Sequence, residues 1–493
     1  MSSVLRALED AVGSEYVSDE DFVTYAYARG IDAALPANPP EYVVKPGTTE
    51  EVAEVVRIAN KFKIPIVPRG GGCCLTGGSK PIEKGGILLD TTRMHRIINI
   101  DENTLTVTVE CGITWAELNS KLNELGYYTG NLGPGSGMSA VVGGGLSHHS
   151  VGGGGGAKYG TCSEHCVALE VVLPNGDIIN TGSNASVYTK EPFCRFGFGP
   201  DLTGLFLGDN GLLGIKTKAT LEIFPRPKYH AAKTFTIEEP SAENAAKIWL
   251  AWRKRGDLGI YDSQWWPLIM VLGLQLLLDV PPIKPWVGLQ KAVFWYTMEA
   301  ETEEQLEANM KIVDQICKEH GCEEMGPEIK DGNIAKWHYE EQGHWLNWHS
   351  LWGGMGPGSV PLTTEHHVPI HRVPYISQKL DEWEAAHRAE LDANGGMQTG
   401  ISTAILCGHT TVEVDSGLIG WDKPEYREKN LELWKSQIEM LLREGAMPYM
   451  VGEMYSKGLI DTEAFSGTYY EFLKNVKQAL DPNRILSPGK FYL

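Results

Sequence analysis

Glycine-rich loops limit what this chain can fold into more than any other feature of its sequence. Residues 68–78, PRGGGCCLTGG, include five glycines and directly follow the apolar run IPIV. Two further loops of this kind lie at 133–156 (GPGSGMSAVVGGGLSHHSVGGGGG) and 208–214 (GDNGLLG). Glycine permits positive φ angles and close contact between backbone and ligand, and successive amides can bind an anion. One such loop is often only a turn, but three of them indicate a single long, extended ligand.

A ligand that contains a pyrophosphate fits such loops, yet neither of the common nucleotide motifs is present. A Walker loop needs Gly-Lys-Ser/Thr after its glycines, and residues 68–78 lack this sequence. A dinucleotide loop follows the first strand of a βαβ unit, with an acidic residue about twenty positions later. The loops of this chain lie among short strands instead.

Length, charge and cysteine content narrow the class of protein. A chain of 493 residues is expected to form two or three domains. With 43 Lys and Arg against 63 Asp and Glu, the net charge is −20, which argues against nucleic acid or an anionic membrane as the main partner. The N-terminus has no signal or transit sequence, and the nine cysteines are scattered and odd in number. Both observations predict a reducing, cytoplasmic location.

The first half of the chain alternates strands, turns and helices. Two capping boxes, Thr48-x-x-Glu51 and Thr114-x-x-Glu117, predict the start of a helix each. Strands are expected at GILLD (86–90) and TLTVTVE (104–110), and VALEVVLPNGDIINTG predicts a hairpin with its turn at Asn175-Gly176. The longest apolar run, 265–280, is too short to span a bilayer, so we expect a buried helix or an interface there.

Near Pro225 the character of the sequence changes. Glycine becomes less frequent, whereas Trp, His and Met cluster. A helical pattern at 302–321 and strand-like runs such as KAVFWYTM alternate in this part of the chain. The change predicts a second domain from residue 228 to about 440, followed by a loop-rich tail.

Several motifs together resemble the FAD domain of the vanillyl-alcohol oxidase and p-cresol methylhydroxylase superfamily, whose relatives include glycolate oxidase subunits and D-lactate dehydrogenases. They are PRGGG with LTGG, ILLDTTRMHRI, VTVECGITWAELNSKLNELG, GPGS, VALEVVLPNGDI and DLTGLFLGDNGLLGIKTKATLEIFPRP, and the tail LDPNRILSPGK matches as well. The resemblance implies an α+β fold. A two-subdomain FAD-binding domain of the p-cresol methylhydroxylase type (1–227) would precede an α+β substrate or cap domain with an antiparallel sheet (228–440) and a C-terminal return to the FAD domain (441–493).

The resemblance also assigns residues to the cofactor. The first loop would surround the pyrophosphate, residues 134–136 would flank it, the second loop would pass close to the flavin ring, and the third would contact the adenine end. Lys490 would lie near the isoalloxazine. The implied FAD-binding residues are Pro68, Arg69, Gly70, Gly71, Gly72, Cys73, Leu75, Thr76, Gly77, Gly78, Pro134, Gly135, Ser136, Gly143, Gly144, Ser147, His148, Gly152, Gly153, Gly211, Gly214, Ile215 and Lys490.

In some relatives a histidine directly after RGGG is bonded covalently to the flavin, and Cys73 occupies that place here. The family pattern does not predict attachment through a thiol. We therefore expect Cys73 and Cys74 to pack beneath an FAD that is bound non-covalently. A covalent anchor through His148 or His149 in the second loop stays open as the alternative.

Two branches of the superfamily make different demands on the second domain. The D-2-hydroxy-acid branch binds a divalent metal with a G-H-x-G-D-G-N-x-H strand and a later E-H-G. Here the strand reads CGHTTVEVDSG and the later site GEMYSKG, so His409 and Glu453 are retained and the other ligands are missing. We expect no metal, although His409 and Glu453 could still meet in the fold.

The aromatic-alcohol and phenol branch uses tyrosines and an arginine to stabilise a phenolate while hydride leaves for flavin N5. Its late motif resembles G-x-G-x-Y-R. The stretch 445–450 keeps the tyrosine as Tyr449 and lacks the arginine. The chain therefore follows neither branch fully.

Histidines of the second domain provide further candidates, because a histidine can act as a general base near neutral pH. Six of them fall within about thirty-five residues, among many aromatic side chains: His338, His344, His349, His366, His367 and His371. His366 and His367 occupy the place where hydroxy-acid relatives read D-x-x-V-P, close to the pocket. The candidate catalytic residues are Tyr449, His366, His367, His409 and Glu453.

The sequence thus predicts an FAD-dependent dehydrogenase that oxidises a CH–OH, or an activated CH, group of a bulky aromatic or apolar small molecule. Electrons would pass to a protein such as an electron-transfer flavoprotein or an iron–sulfur subunit, and the chain would be a homo-oligomer or part of a complex. Cys162-x-x-x-Cys166 alone cannot ligate a cluster. The alternatives are direct reaction with oxygen, a D-2-hydroxy-acid dehydrogenase with an altered metal site, and an FAD-holding electron-transfer subunit without a substrate of its own.

Overall fold

The structure, a computed structural model, describes residues 3–30, 35–275, 282–341, 359–395, 397–449 and 451–493. Helices and sheets are both present, which confirms the predicted α+β class. Within the described ranges the strands form sheets of four, five, two and eight strands.

The first sheet leads the chain into the first glycine loop. Its strand order is Val17–Ser18, Tyr42–Val44, Ile87–Asp90 and Ile66–Arg69, and the last three strands run parallel. Apolar side chains of helices Ser3–Val12 and Thr49–Phe62 pack with those of this sheet in one hydrophobic core. The hydroxyl group of Thr48 accepts a hydrogen bond of 3.1 Å from the amide of Glu51, which confirms the first capping box.

A five-stranded antiparallel sheet follows. Its strands stand in the order Ile97–Asp101, Thr106–Glu110, Ile215–Glu222, Cys166–Val172 and Ile178–Asn180. The predicted hairpin is confirmed, since Val172 pairs with Ile178 and Gly176 turns with a φ of +84°. Helix Trp115–Glu124 begins at the second capping box, where Thr114 accepts from the amide of Glu117. The other elements of this part are helices Asp21–Tyr27, Val142–Leu146, Gly156–Tyr159 and Leu202–Leu205 and the strand pair Tyr127–Tyr128 with Phe224–Pro225.

An eight-stranded antiparallel sheet dominates the second half of the chain, as the resemblance implies for the cap. Its strand order is Cys322–Glu324, Tyr229–Ile237, Ala292–Ala300, Ile260–Trp266, Met397–Cys407, Thr411–Trp421, Ser359–Pro369 and Met447–Pro448. The helices in this half are Ser241–Arg255, Leu268–Leu274, Glu303–Glu319, Ile334–Glu340, Val373–Ala393 and Pro424–Arg443. Helix Glu303–Glu319 confirms the helical pattern predicted at 302–321.

After helices Glu453–Asp461 and Gly467–Leu480, the C-terminal segment lies beside the first sheet. The amide of Ile66 donates to the carbonyl of Ile485 at 2.7 Å, and the amide of Ser487 donates to the carbonyl of Ile66 at 2.8 Å. The tail therefore supports the strand that precedes the first glycine loop. The domain boundaries at residues 227 and 440 stay predictions.

The apolar run at 265–280 begins as a strand and continues as a helix. Trp265 and Trp266 end the strand Ile260–Trp266, and helix Leu268–Leu274 buries Met270 and Val271. Residues 276–280 of the run lie outside the described residues. Among the helices that the structure describes, none combines the length and apolar character needed to cross a membrane.

Candidate active site

The first and second glycine loops meet at Gly71. A β carbon at this position would lie 1.7 Å from the carbonyl oxygen of Ser139, a distance that no two such atoms can adopt. Gly72 has a φ of +71°, which residues with side chains rarely adopt. The two loops can therefore lie directly against each other only because position 71 is glycine, and the positive φ favours glycine at position 72.

The loops form one wall of a continuous groove. It is made of three adjoining cavities of about 520, 490 and 530 Å³. Pro134 and Ser136 line both the first and the second, and Gly70, Gly144 and His148 line both the second and the third. The groove thus extends from the eight-stranded sheet, along the two long glycine loops, to the third glycine loop.

Most of the residues predicted to bind FAD line this groove. They are Pro68, Arg69, Gly70, Gly71, Gly72, Cys73, Leu75, Gly78, Pro134, Gly135, Ser136, Gly143, Gly144, Ser147, His148, Gly152, Gly211, Gly214 and Ile215. The positions of these residues along one groove therefore agree with a single extended ligand.

Four predicted cofactor residues do not line the groove: Thr76, Gly77, Gly153 and Lys490. The ammonium group of Lys490 is buried and donates a hydrogen bond to the carbonyl of Gly78, which does line the groove. Lys490 thus links the C-terminal tail to the first glycine loop. Its place near the isoalloxazine stays a prediction.

The groove leaves room for a long ligand with a flat ring. A β carbon at Gly144 would meet no atom nearer than 3.7 Å, and one at Gly152 no atom nearer than 3.8 Å. At Gly144 and Gly152 the wall therefore leaves room for a ligand, in the space that the side chain of a larger residue would fill. The residues present fit a bound FAD, which the glycine loops and the sheet end of the groove would hold.

The two cysteines of the first loop make different contacts. Burial raises the pKa of Cys73, whose sulfur lies 3.0 Å from the hydroxyl oxygen of Ser139. The sulfur of Cys74 accepts a hydrogen bond of 3.2 Å from the amide of Gly78. Burial opposes ionisation of Cys74, but His148 and the hydrogen bonds of Thr76 together outweigh it and lower the pKa of Cys74 to about 7. Both side chains are part of the groove wall, and the non-covalent state of the flavin stays a prediction.

Three carboxyl side chains, which the sequence analysis missed, lie at the sheet end of the groove. Glu365, Glu413 and Asp415 form this carboxyl cluster, and each is less than a tenth exposed. The strands Ser359–Pro369 and Thr411–Trp421 pair with Glu365 opposite Asp415. Alternate residues of a strand share one face, so all three acids face the groove. Acidic residues at alternate positions in VEVD (412–415), within an otherwise apolar strand, were the signal that could have revealed them.

Burial and mutual repulsion disfavour ionisation of the carboxyl cluster. Burial, followed by the charges of Asp415 and Glu413, raises the pKa of Glu365 well above its usual value. Burial and the charge of Asp415 raise the pKa of Glu413 in the same way. Glu365 and Glu413 therefore hold a proton more tightly than free carboxyl groups do.

Tyr449 stands where the sheet meets the second glycine loop. Its hydroxyl oxygen accepts a hydrogen bond of 2.9 Å from the amide of Val151, and its own amide donates to the carbonyl of Glu365 at 3.0 Å. Burial and the charge of Glu365 raise the pKa of Tyr449 well above 10, so the phenol stays protonated. Of the predicted catalytic residues, Tyr449 alone lines the groove among those described.

The two adjacent histidines point in opposite directions. Because Glu365 faces the groove, His366 lies on the other face of the sheet, where its Nδ1 is 3.3 Å from the carbonyl of Thr364. The ring of His367 packs edge-on against Tyr449, with 5.7 Å between the centroids. Burial lowers the pKa of His366 to about 3 and that of His367 to about 4. Both imidazoles are therefore neutral and weak bases.

The remaining candidates are spread over the fold. His409 is exposed in the turn between the strands Met397–Cys407 and Thr411–Trp421. Glu453 is buried at the start of helix Glu453–Asp461, where Lys457 binds its carboxylate at 2.8 Å. His409 is thus exposed whereas Glu453 is buried, and neither lines the groove. Among the described residues no group of three His, Cys, Asp or Glu could hold a metal ion. The absence of a metal stays a prediction.

The predicted histidine cluster is also dispersed. His338 is buried and bonded to Asp262 at 3.0 Å, beside the small cavity that Tyr261 and Tyr339 line. His371 is exposed, and His344 and His349 lie outside the described residues.

Comparison with known families supports the assignment of the groove. Residues 40–182 match the model of the FAD binding domain, and residues 461–491 match that of the C-terminal domain of FAD linked oxidases. The chain is 28% identical to the mitochondrial D-lactate dehydrogenase [cytochrome] of Arabidopsis thaliana over 99% of its own length and 79% of the relative. It is 37% identical to the glycolate oxidase subunit GlcD of Bacillus subtilis over 38% of each chain.

Two solved structures have the same fold at low sequence identity. P-cresol methylhydroxylase with substrate bound superposes with a TM-score of 0.82 at 20% identity, and the match covers 99% of this chain and 96% of the other. The 4-ethylphenol oxidase of Gulosibacter chungangensis gives 0.80 at 19% identity with the same coverage. FAD is therefore the cofactor of this chain. The chain is an FAD-linked oxidoreductase, and its fold is that of p-cresol methylhydroxylase.

Proposed function

We propose that this enzyme is a dehydrogenase that oxidises the CH–OH, or an activated CH, group of a bulky, uncharged substrate with an aromatic or apolar body. The composition of the sheet end of the groove carries the proposal. Its described wall residues include Leu75, Val151 and Ile405 together with the carboxyl cluster, and none of them is a cation. Apolar walls with a few convergent polar groups are typical of sites for small organic molecules.

The second candidate function is oxidation of a D-2-hydroxy acid, which the similarity to D-lactate dehydrogenases favours. A hydroxy acid would have to place its carboxylate close to Glu365, Glu413 and Asp415, without a cation among the described wall residues to neutralise it. Burying like charges together is strongly unfavourable unless protons are taken up. This electrostatic conflict is the reason to prefer an uncharged alcohol.

The carboxyl cluster is the proposed base. When bound, FAD supplies the acceptor for the hydride. The substrate hydroxyl loses its proton to the ionised member of the cluster, so a CH–OH group becomes a C=O group as the proton and the hydride depart separately. A carboxylate with a raised pKa is a stronger base than a free one. This assignment replaces His366 and His367 as the base, because burial makes both imidazoles weak.

Tyr449 has a positioning role in this proposal. Its phenol oxygen accepts a hydrogen bond from the amide of Val151, and its own amide donates one to the carbonyl of Glu365. The residue therefore fixes the distance between the second glycine loop, which carries the flavin, and the carboxyl cluster, which carries the base. Its hydroxyl stays protonated and donates to the carbonyl of Val151 at 3.3 Å, which adds a second contact to the same loop.

Electrons would then leave the reduced cofactor for a second protein. The Arabidopsis relative is named for a cytochrome acceptor, and the sequence also favours an electron-transfer flavoprotein or an iron–sulfur subunit. We propose a protein acceptor on this basis, with oxygen as the alternative. The remaining alternative belongs to a different class of function: an electron-transfer subunit that holds FAD and oxidises no substrate of its own.

Anaerobic bleaching of the flavin absorbance tests the proposal directly. One panel contains aromatic and bulky alcohols and alkylphenols, the other D-2-hydroxy acids, each with and without a chelator. We expect bleaching by the first panel, unaffected by chelator. Bleaching by hydroxy acids alone, abolished by chelator, would instead establish the second candidate. If neither panel bleached the flavin, the electron-transfer subunit would be favoured.

A matched pair of variants locates the base. Glu413→Gln removes one carboxylate of the cluster and keeps its shape, whereas His409→Ala changes the exposed histidine of the turn. The proposal predicts a slower bleaching rate for Glu413→Gln and an unchanged rate for His409→Ala. The reverse result would contradict it.

A further inference from the structure

A cavity outside the groove adjoins the strand that enters the first glycine loop. Its volume is about 970 Å³, and three segments of the chain form it, residues 63–67, 81–85 and 483–489. We call it the tail cavity, because the C-terminal tail provides one of its walls. None of its lining residues lines the groove. Its size is that of a site for a small organic molecule, and it is separate from the site of FAD.

The charge of the tail cavity is opposite to that of the whole chain. Lys63, Lys84 and Arg484 line it together with a single acid, Glu83, whereas the chain has a net charge of −20. All three cations are exposed, and within the described ranges none of them forms an ion pair with a carboxylate. An anion is therefore attracted to this cavity, although the protein as a whole repels it.

Two of the three cations are held in place by contacts that leave their charge intact. The ammonium group of Lys63 donates to the side-chain amide oxygen of Asn483 at 2.6 Å, and an amide oxygen carries no charge. Arg484 lies in a turn that Asp481 closes, because the Asp481 carboxylate accepts hydrogen bonds of 2.8 Å from the amides of residues 485 and 486. The cations are thus positioned before a ligand arrives, which lowers the entropic cost of binding it.

The remaining walls of the tail cavity are largely apolar. Its lining includes the side chains of Pro65, Val67, Ile82, Ile485 and Pro488. An inorganic ion would leave these surfaces in water, whereas an organic anion would cover them and gain the free energy of apolar burial. The combination therefore fits a carboxylate or phosphate group that is joined to an apolar body.

The tail cavity contacts the chain next to both ends of the first glycine loop. Val67 lines the cavity, and the next residue, Pro68, lines the groove. Gly489 also lines the cavity, and the next residue, Lys490, donates a hydrogen bond to the carbonyl of Gly78 at the end of the loop. A ligand that fixes these walls would therefore favour the conformation of the loop that holds FAD.

We propose that the tail cavity binds a small organic anion and that its occupancy strengthens the binding of FAD. Lys63, Lys84 and Arg484 contact the carboxylate or phosphate group, and the apolar walls cover the body of the ligand. Because coupling between two sites is reciprocal, bound FAD strengthens the binding of the anion by the same factor. The site does not depend on which substrate the enzyme oxidises.

Calorimetric titration of the flavin-loaded enzyme tests the chemistry of the ligand. The probes are phenyl phosphate, benzoate and the neutral benzamide, in about 0.15 M salt so that long-range attraction is screened. We expect at least one of the two anions to bind and benzamide not to bind. Tighter binding of phenyl phosphate would assign a phosphate ester, and tighter binding of benzoate a carboxylate. Failure of both anions, or equal binding of benzamide, would overturn the proposal.

Charge-neutralising variants locate the bound anion. Lys84→Gln and Arg484→Gln should each raise the dissociation constant of that anion at least about tenfold, since each removes a charge-assisted hydrogen bond. Lys254→Gln is the matched control, because Lys254 is an exposed cation on helix Ser241–Arg255, and it should leave the constant unchanged. Binding that survives both cavity variants, or that all three variants weaken equally, would contradict the site.

Fluorescence titration of the flavin-free protein with FAD tests the coupling. A saturating concentration of the anion should lower the dissociation constant of FAD at least about fivefold in the wild type. The same addition should change nothing in Arg484→Gln. An unchanged FAD dissociation constant in the wild type would overturn the coupling. A higher one would show that the anion competes with FAD in the groove, which would also overturn it.

Discussion

The hydroxyl oxygen of Tyr449 lies 2.9 Å from the amide nitrogen of Val151 and accepts its hydrogen bond. Val151 belongs to the second glycine loop, and Tyr449 directly follows the strand Met447–Pro448 of the eight-stranded sheet. The contact therefore joins the two walls of the groove. It spans 298 residues of sequence, so no local pattern could have predicted it.

Replacing Tyr449 with Phe tests how much this contact stabilises the groove. The Tyr449→Phe variant leaves a buried amide at Val151 without its acceptor, which costs about 1–3 kcal/mol of unfolding free energy. Urea denaturation of the flavin-free protein measures this loss. Tyr469→Phe is the control, because Tyr469 is more than half exposed and its loss should change stability little. Equal stability of Tyr449→Phe and the wild type would contradict the bridging role.

Removing one acid of the carboxyl cluster should slow the chemical step. A general base typically contributes a factor of about 10²–10⁴ to the rate, so we expect a loss in this range for flavin reduction in Glu413→Gln. The wild-type rate should rise with pH as the cluster loses protons, because the pKa values of Glu365 and Glu413 are raised. Stopped-flow absorbance over a pH series measures both effects. A pH profile unchanged by Glu413→Gln would assign the base elsewhere.

The same cluster should make stability fall as the pH rises. The pKa values of Glu365 and Glu413 are raised in the folded chain, so between the unfolded and the folded pKa the native state binds more protons than the unfolded state. The stabilising contribution is therefore complete below the unfolded pKa, about 4.3, and is lost as the pH passes through the folded values. Denaturation of the flavin-free protein at pH 5, 6, 7 and 8 should show this decline, and Glu413→Gln should flatten it.

Local sequence patterns were sufficient for the elements that frame the groove. The capping boxes at Thr48 and Thr114 placed two helices, and the Asn175-Gly176 dipeptide placed a hairpin, because each depends on contacts within a few residues. The glycine loops could also be recognised from the sequence, because each is a short run of glycines, and together they predicted an extended ligand. Most of the residues assigned to FAD by resemblance line one groove. Their motifs consist mainly of glycines, which determine the path of the backbone, so their positions depend little on the packing of long side chains.

The catalytic end was harder to predict because it depends on register between distant strands. Glu365 and Asp415 become neighbours only when the strands Ser359–Pro369 and Thr411–Trp421 pair at one register. His366 is of a residue type expected of a base, but strand alternation places it on the face of the sheet that points away from the groove. His409 kept its family position in the sequence, yet it lies in an exposed turn. Residue type alone could not reveal these orientations.

Two alanine variants separate folding of the glycine loops from binding of FAD. Gly71→Ala would place a methyl group 1.7 Å from the carbonyl oxygen of Ser139, so the loops must move and both stability and FAD binding should fall. Gly144→Ala meets no protein atom within 3.7 Å and points into the groove. It should leave the flavin-free protein as stable as the wild type and weaken FAD binding by about 1–3 kcal/mol, roughly 5- to 150-fold. Flavin fluorescence titration and urea denaturation distinguish the two outcomes.

The cysteines of the first loop should differ in reactivity although they are adjacent. His148 and Thr76 lower the pKa of Cys74 to about 7 against the effect of burial, whereas burial raises that of Cys73. The thiolate is the reactive form, and each unit of pKa changes its fraction about tenfold. Iodoacetamide at pH 7.5 should therefore modify Cys74 of the flavin-free protein at least about tenfold faster than Cys73, as measured by peptide mass spectrometry. Bound FAD should protect Cys74 by filling the groove. In His148→Asn, Cys74 should no longer be modified faster than Cys73. Faster modification of Cys73, or a rate for Cys74 that His148→Asn does not change, would show that His148 does not activate this thiol.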